Sequence, residues 1–318
     1  MDIKEKQRLV GLDPREYEHP LDREALDKLE AIPGAKALFI KINEEWLEKL
    51  MYIRNVGTNI ILTKDNSPRI IKILNEASRI LDLDAVPNIY LYGEFGGDIK
   101  ASTQGSYEPH IALSRRAVVE LDDLELLVLI GRELGRIKSG HVLYRTIAEY
   151  LADSLVEVIS SLTLGLGSIP AKTIEYALRY WYRMSEFTAD RAGLLVSQDI
   201  NAFIRLQLRQ SGLPKDSNMS LFQNSFIEQA QSFKDFDYKN VNKFIKLLST
   251  ANEVEPYPVI RASELIKWGK SHQYKSILAR ENMNIVTKIS SESKFCPNCS
   301  TTLSKGDKFC GGCGSEIS

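Results

Sequence analysis

The chain has 318 residues, with 41 Lys and Arg against 42 Asp and Glu, a formal net charge of −1, and 43% hydrophobic residues. At roughly 150 residues per domain this length predicts about two domains. The balanced charge excludes a global pull toward nucleic acid or anionic membranes, and 26% charged residues beside that apolar fraction exclude disorder or fibrous repeats over most of the chain.

The first twenty residues carry charges every few positions and no apolar run of signal-peptide length, so secretion is not expected. From Asp22 to Ile32 leucines recur at helical spacing, and Pro33-Gly34 ends that helix; a second helical stretch follows from about Ala35 to Tyr52. In a third helix Ile70, Ile71, Leu74, Ala77, Ile80 and Leu81 share one face. The region from Pro87 to Ser114 alternates or is β-branched around a Gly-rich polar segment and predicts short strands joined by loops. An exposed sheet edge there would offer backbone groups to an extended peptide.

Asp122 and Glu125 form a capping-box pattern ahead of LELLVLIGRELGRIKSGHVL, which is apolar on nearly all sides and so reads as a buried helix. The charge-free stretch from Val158 to Ala171 falls short of the roughly 20 apolar residues needed to span a bilayer. Over 158–170 it could equally be a buried helix and turn or a stretch that meets a membrane surface. A long helix from Lys172 to Val196 directs Ile174, Ala177, Leu178, Trp181, Ser185, Thr188, Ala189 and Ala192 inward. Largely helical sequence runs from Asn201 to Lys270, broken at Ser211-Gly212 and at Pro256 and Pro258, and a linker is read from His272 to Ser293.

All four cysteines lie in the tail, at Cys296, Cys299, Cys310 and Cys313. Two C-x2-C knuckles supply four soft thiolates, the donor set of a closed tetrahedral zinc site. Phe295 and Phe309 precede the knuckles and can form the minimal core of a module that folds around its metal. Closed coordination leaves no open position for substrate, so this zinc is structural. Nearby cations are limited to Lys294, Lys305 and Lys308, thin support for phosphate contacts, so nucleic acid is not favoured as a partner. Cysteines confined to one such module agree with a cytoplasmic setting.

The segment ELLVLIGRELGRIKSGHVLYRT, the later YWYRMSEFTADRAGLL, the start DPREYEHPLDREALDKLEAIPG and the strand region together resemble the M48 family of zinc metallopeptidases over roughly residues 10 to 215. The resemblance implies an α+β, predominantly helical, zincin-like scaffold with a small sheet. In that family a helical H-E-x-x-H gives two ligand histidines and a general base, and an E-x-x-x-D gives the third ligand. Here the first motif reads Arg132-Glu133-Leu134-Gly135-Arg136. Glu133 matches the general base, Glu186 the third ligand and Asp190 the acidic residue one turn on. Lys100 also departs, standing ahead of Ala101 where many relatives carry asparagine, which puts substrate contacts there in doubt.

A guanidinium has five donors and no acceptor, so neither Arg132 nor Arg136 can replace an imidazole. Without a metal to acidify a bound water, Glu133 has no nucleophile to activate. The two arginines instead return positive charge to Glu133, Glu186 and Asp190, and are expected to fill the vacated site in bidentate pairs. The nearest two histidines, His110 and His141, are 31 residues apart, which argues against a histidine-based metal site. On a continuing helix His141 lies roughly 180° from Arg132 and about 140° from Arg136; it reads as a packed or hydrogen-bonded residue. His110 reads as a packing or groove residue, and His19 and His272 fall in terminal or linker sequence.

The domain reading is therefore 1–270 peptidase-like, with N-terminal helices to about 85, a core over 86–215 and a helical extension over 216–270; then a linker over 271–293 and a zinc ribbon over 294–318. The functional reading is a pseudopeptidase without catalytic zinc that binds a peptide or protein as scaffold or regulator. Two alternatives stand beside it. One is an active metalloendopeptidase with non-standard metal ligation through Glu133, Glu186 and Asp190 or a partner's histidine. The other is a nucleic-acid adaptor acting through the ribbon.

Overall fold

The computed structural model describes residues 6–93, 97–105, 107–151, 171–235 and 255–280. The chain divides into two compact units, Met1–Ala279 and Arg280–Ser318. The ribbon cysteines Cys296, Cys299, Cys310 and Cys313 and the apolar stretch 158–170 lie outside the described residues.

A 3-10 turn at Pro14–Glu16, closed by an Asp13/Glu16 capping box, leads into α1 (Pro20–Glu30). His19 caps α1, its Nδ1 accepting the Leu21 N–H at 3.2 Å. The second helical stretch runs further than expected, as α2 (Ala35–Ile42), a π-turn at Asn43–Leu47 and α3 (Glu48–Thr58). β1 (Ile60–Ile61) and α4 (Pro68–Ile80) follow, then β2 (Asn88–Tyr92), β3 (Ala101–Gln104) and β4 (His110–Ser114). Their sheet has the order β1-β2-β4-β3, with β2 parallel to β4 and the other neighbours antiparallel. Strand alternation sends Ile89, Ala101, Ile111 and Leu113 to one face, into a core shared with α4 and with α6 (Asp123–Lys138).

After a short α5 (Arg115–Glu120), the Asp122/Glu125 box starts α6 as the sequence predicts, and every residue from Glu125 to Arg136 is buried. α6 stops at Lys138, and Gly140 turns the chain at φ +69° into α7 (Val142–Leu151). Beyond lie α8 (Ala171–Ser197), α9 (Ile200–Gln210), α10 (Met219–Asp235), α11 (Pro258–Gly269) and α12 (His272–Leu278). Mostly helical with a four-stranded sheet, the unit is α+β.

α8 is the axle of the unit. Its first half places Ile174, Leu178 and Trp181 in an apolar cluster with α1, α2 and α7, while Ala192 to Val196 join the cluster against α6. Glu186 and Asp190 lie between the two. α6 and α8 approach closely because small residues face each other. A Cβ at Gly131 would sit 2.8 Å from the Val196 Cβ, one at Gly193 would sit 2.7 Å from the Arg132 Cγ, and one at Gly135 would collide with the Ala192 Cβ.

Two expectations are corrected. The linker read from residue 271 begins instead with α12, whose Tyr274 and Ile277 are buried in the core; aromatic and apolar spacing over only seven residues is too short for periodicity to reveal. The strand region does not present an exposed edge either. Ala101 to Gln104 on β3 are at most 5% exposed, and Glu149 of α7 accepts the Ser102 hydroxyl at 2.7 Å and pairs with Lys100 at 3.4 Å. The exposed edge is at the other end of the sheet, where Ile60 and Ile61 of β1 are 62% and 43% exposed.

Candidate functional site

Arg132, Glu133 and Arg136 project from α6 toward Glu186 and Asp190 on α8, and all five are buried. The close helix crossing brings them into contact. Glu186 accepts Arg132 Nη2 at 2.5 Å through Oε2, and Arg136 Nη2 at 2.9 and 3.0 Å through both oxygens. The same Arg136 donates its Nε to Glu133 Oε1 at 3.2 Å. Glu133 Oε2 accepts the Thr103 hydroxyl of β3 at 2.8 Å.

Two further arginines complete the centre, and neither was singled out in the sequence. Arg145, from α7, donates to Glu186 Oε1 at 2.7 Å and to the Tyr182 hydroxyl at 3.0 Å. Arg261, from α11, makes a bidentate pair with Asp190 at 2.7 and 2.9 Å and reaches Glu255 at 3.0 Å. Arg132 Nε also lies 2.9 Å from Asp190 Oδ1. Arg261 did leave a signal, since it shares the buried stripe of α11 with Leu265 and Trp268, where an unpaired cation is costly. Arg145 follows the Gly140 turn, and its place depends on that turn.

The electrostatics follow from this packing. Burial alone would raise the Glu186 carboxyl, but Arg136, Arg145 and Arg132 outweigh it and hold the group well below the usual carboxylate range. For Glu133, burial is likewise overcome by the same three guanidinium groups and the Thr103 hydrogen bond, and the carboxyl is lowered. Arg261 is raised despite burial by Asp190, Glu255 and Glu186. Four guanidinium groups thus face three carboxylates, and every oxygen of those carboxylates has a partner. Zinc needs lone pairs from its ligands. At this centre the lone pairs of Glu186 are already spent on N–H donors and no imidazole is within the set, so these residues do not fit a catalytic zinc ion.

The histidines fall elsewhere. His141 is buried in the turn between α6 and α7 rather than on a continuing helix, its ring edge-on to Trp181 at 5.4 Å between centroids. Neither ring nitrogen has a hydrogen-bond partner, and Nε2 lies 3.5 Å from Asp22 Oδ2. Burial, with help from Arg136 and Arg145, pushes its pKa down to about 3, so the ring is neutral. Asp22 is also fully buried, and burial pushes its carboxyl up to about 6 against the opposing hydrogen bonds from Thr188 and Trp181. His110, on β4, contacts Asn55 of α3 and lines a surface groove of about 660 Å³ with Met51, Tyr52, Ile53, Tyr90 and Tyr107. His19 is a buried helix cap, 3.6 Å from Glu264, and not loose terminal sequence.

Among the described residues, no helix is long and apolar enough to cross a membrane. Residues 287–317 match the zinc-ribbon domain family, reaching back into the stretch read as linker. The chain is 29% identical over 277 residues to a plastoglobule-localized, chloroplastic metallopeptidase 48 of Arabidopsis thaliana, covering 85% of this chain and 77% of the relative. No solved structure matches. The protein is thus a homologue of an M48-family metallopeptidase that carries a zinc-ribbon domain at its C terminus.

Proposed function

We propose that this protein is a pseudopeptidase: a metallopeptidase scaffold that has lost hydrolysis and serves as a peptide- or protein-binding scaffold or regulator. The observation that carries the reading is Glu186, at the third-ligand position, whose two oxygens are held by Arg132, Arg136 and Arg145. A carboxylate pinned by three cations in a buried site has no lone pair to release to a metal at modest cost. Glu133, at the general-base position, is turned to the same use, bridging Arg136 and Thr103.

In this reading zinc belongs to the ribbon, where Cys296, Cys299, Cys310 and Cys313 supply the thiolate donor set of a closed structural site. Reduced thiolates of this kind suit a cytoplasmic setting. The partner surface is the groove beside His110, whose aromatic and apolar lining includes the exposed Tyr52, Ile53 and Tyr107. The test is casein and peptide hydrolysis by the zinc-loaded full-length protein. Wild type and Glu133→Gln are expected to give the same background rate. Hydrolysis that disappears in Glu133→Gln would establish an active metalloendopeptidase and end the pseudopeptidase reading.

A further inference from the structure

We propose that Glu18, Asp22 and His141 form a divalent-cation site, with zinc as its best fit, which fastens the N-terminal segment to the turn between α6 and α7. One ligand atom from each residue lies within 4.8 Å of the other two, and this is the group of such residues that comes together among the described residues. His141 Nε2 and Asp22 Oδ2 are 3.5 Å apart. Two donors bound at about 2.1 Å to a tetrahedral zinc ion stand about 3.4 Å apart, so this pair needs almost no rearrangement.

The independent observation is the lack of partners. His141 is 1% exposed, yet both of its ring nitrogens lack hydrogen bonds. Buried polar atoms are rarely left so, and a bound cation is one of the few physical explanations. Asp22 is also held in place as a ligand should be. The Thr188 hydroxyl donates to its Oδ2 and itself accepts the His19 N–H at 3.0 Å, so α8 fixes the carboxylate plane.

Charge agrees with a divalent ion. Two carboxylates and a neutral imidazole carry −2, and the arginines that bear on His141, Arg136 and Arg145, are already bound to Glu186. Arg23 lies 3.5 Å from Glu18, but its side chain is 45% exposed and can swing into water when an ion arrives. One imidazole with two carboxylates is a mixed nitrogen and oxygen set that suits zinc, cobalt or manganese better than calcium or magnesium. Glu18 is the partly exposed member and gives the site its entry.

The experiment uses the full chain with Cys296→Ser and Cys299→Ser, so that the ribbon no longer holds metal, titrated with Co2+ and then Zn2+. The expected result is about one cobalt per chain, with the visible band of four-coordinate cobalt displaced by zinc. Glu18→Gln, at the partly exposed ligand and so tolerated by the fold, is expected to weaken binding at least about tenfold, and His141→Asn to abolish it. A ribbon variant that binds neither ion, or binding unchanged by Glu18→Gln, overturns the proposal. Binding that survives Glu18→Gln and is lost with Glu186→Gln would place the ion at the old peptidase centre and so overturn the pseudopeptidase reading as well, whereas failure of the cobalt titration alone leaves that reading standing.

Discussion

Two buried polar clusters adjoin α8 and solve the same problem in opposite ways. At Glu186 the carboxylates are neutralised by side chains: Arg132, Arg136, Arg145 and Arg261 supply the charge, and every oxygen of Glu133, Glu186 and Asp190 is engaged. At Asp22 a buried carboxylate stands beside an imidazole whose Nδ1 and Nε2 have no hydrogen-bond partner. The first cluster is closed without a metal; the second is completed by one. The contrast sets out two ways to hold buried carboxylates: with side-chain donors that saturate every oxygen, or, in the proposed site, with a bound cation.

The largest effect expected from breaking this contrast is at Glu186. Glu186→Ala leaves three guanidinium groups without their shared acceptor, and urea unfolding should show a loss of about 3–5 kcal/mol, with much of it recovered by adding Arg136→Met. Next is the helix crossing that makes the network possible. Gly135→Ala drives a methyl into Ala192, and the same measurement should show a loss of about 1–3 kcal/mol. At the other cluster the sign reverses. In metal-free buffer at pH 7, Asp22→Asn removes a carboxylate whose pKa burial raises to about 6, and stability should rise by about 1–2 kcal/mol. Destabilisation of that size or more would mean that the hydrogen bonds Asp22 accepts from Thr188 and Trp181 outweigh the cost of burying its charge.

The smallest effect is on pH dependence. The raised Asp22 pKa contributes stability that is lost as pH rises from about 4 through 6, whereas the depressed His141 pKa contributes stability that is lost as pH falls below 6.5 toward 3. Between pH 7 and pH 5 the two oppose each other, so metal-free wild type should change by less than about 1 kcal/mol. With His141→Asn the opposing contribution is gone, and stability should increase by about 1 kcal/mol on acidification over that interval. A wild-type protein that falls steeply over the interval would show that burial does not raise the Asp22 carboxyl.

Much of this centre is legible in the sequence because it is local. Arg132, Glu133 and Arg136 share a helix face by spacing alone, the Asp122/Glu125 box marks where that helix starts, and E-x-x-x-D sets Glu186 and Asp190 one turn apart. Arg145 and Arg261 escape because their positions depend on a left-handed turn at Gly140 and on a helix 71 residues from Asp190. The same turn misplaces His141, since a helical extrapolation past Lys138 follows a helix that has ended. Strand periodicity finds β3 but not its covering, which comes from Glu149 on another element. The pairing of Asp22 with His141 spans more than a hundred residues and has no pattern at all in one dimension.

The central claim, that guanidinium groups stand where a peptidase would hold zinc, is tested most directly by anomalous scattering at the zinc edge from crystals of zinc-loaded full-length protein. No zinc peak is expected at bonding distance, about 2.0–2.2 Å, from the Glu186 oxygens, with Arg132 and Arg136 in contact with that carboxylate. A zinc peak bonded to Glu186, with either arginine displaced from it, would contradict the account.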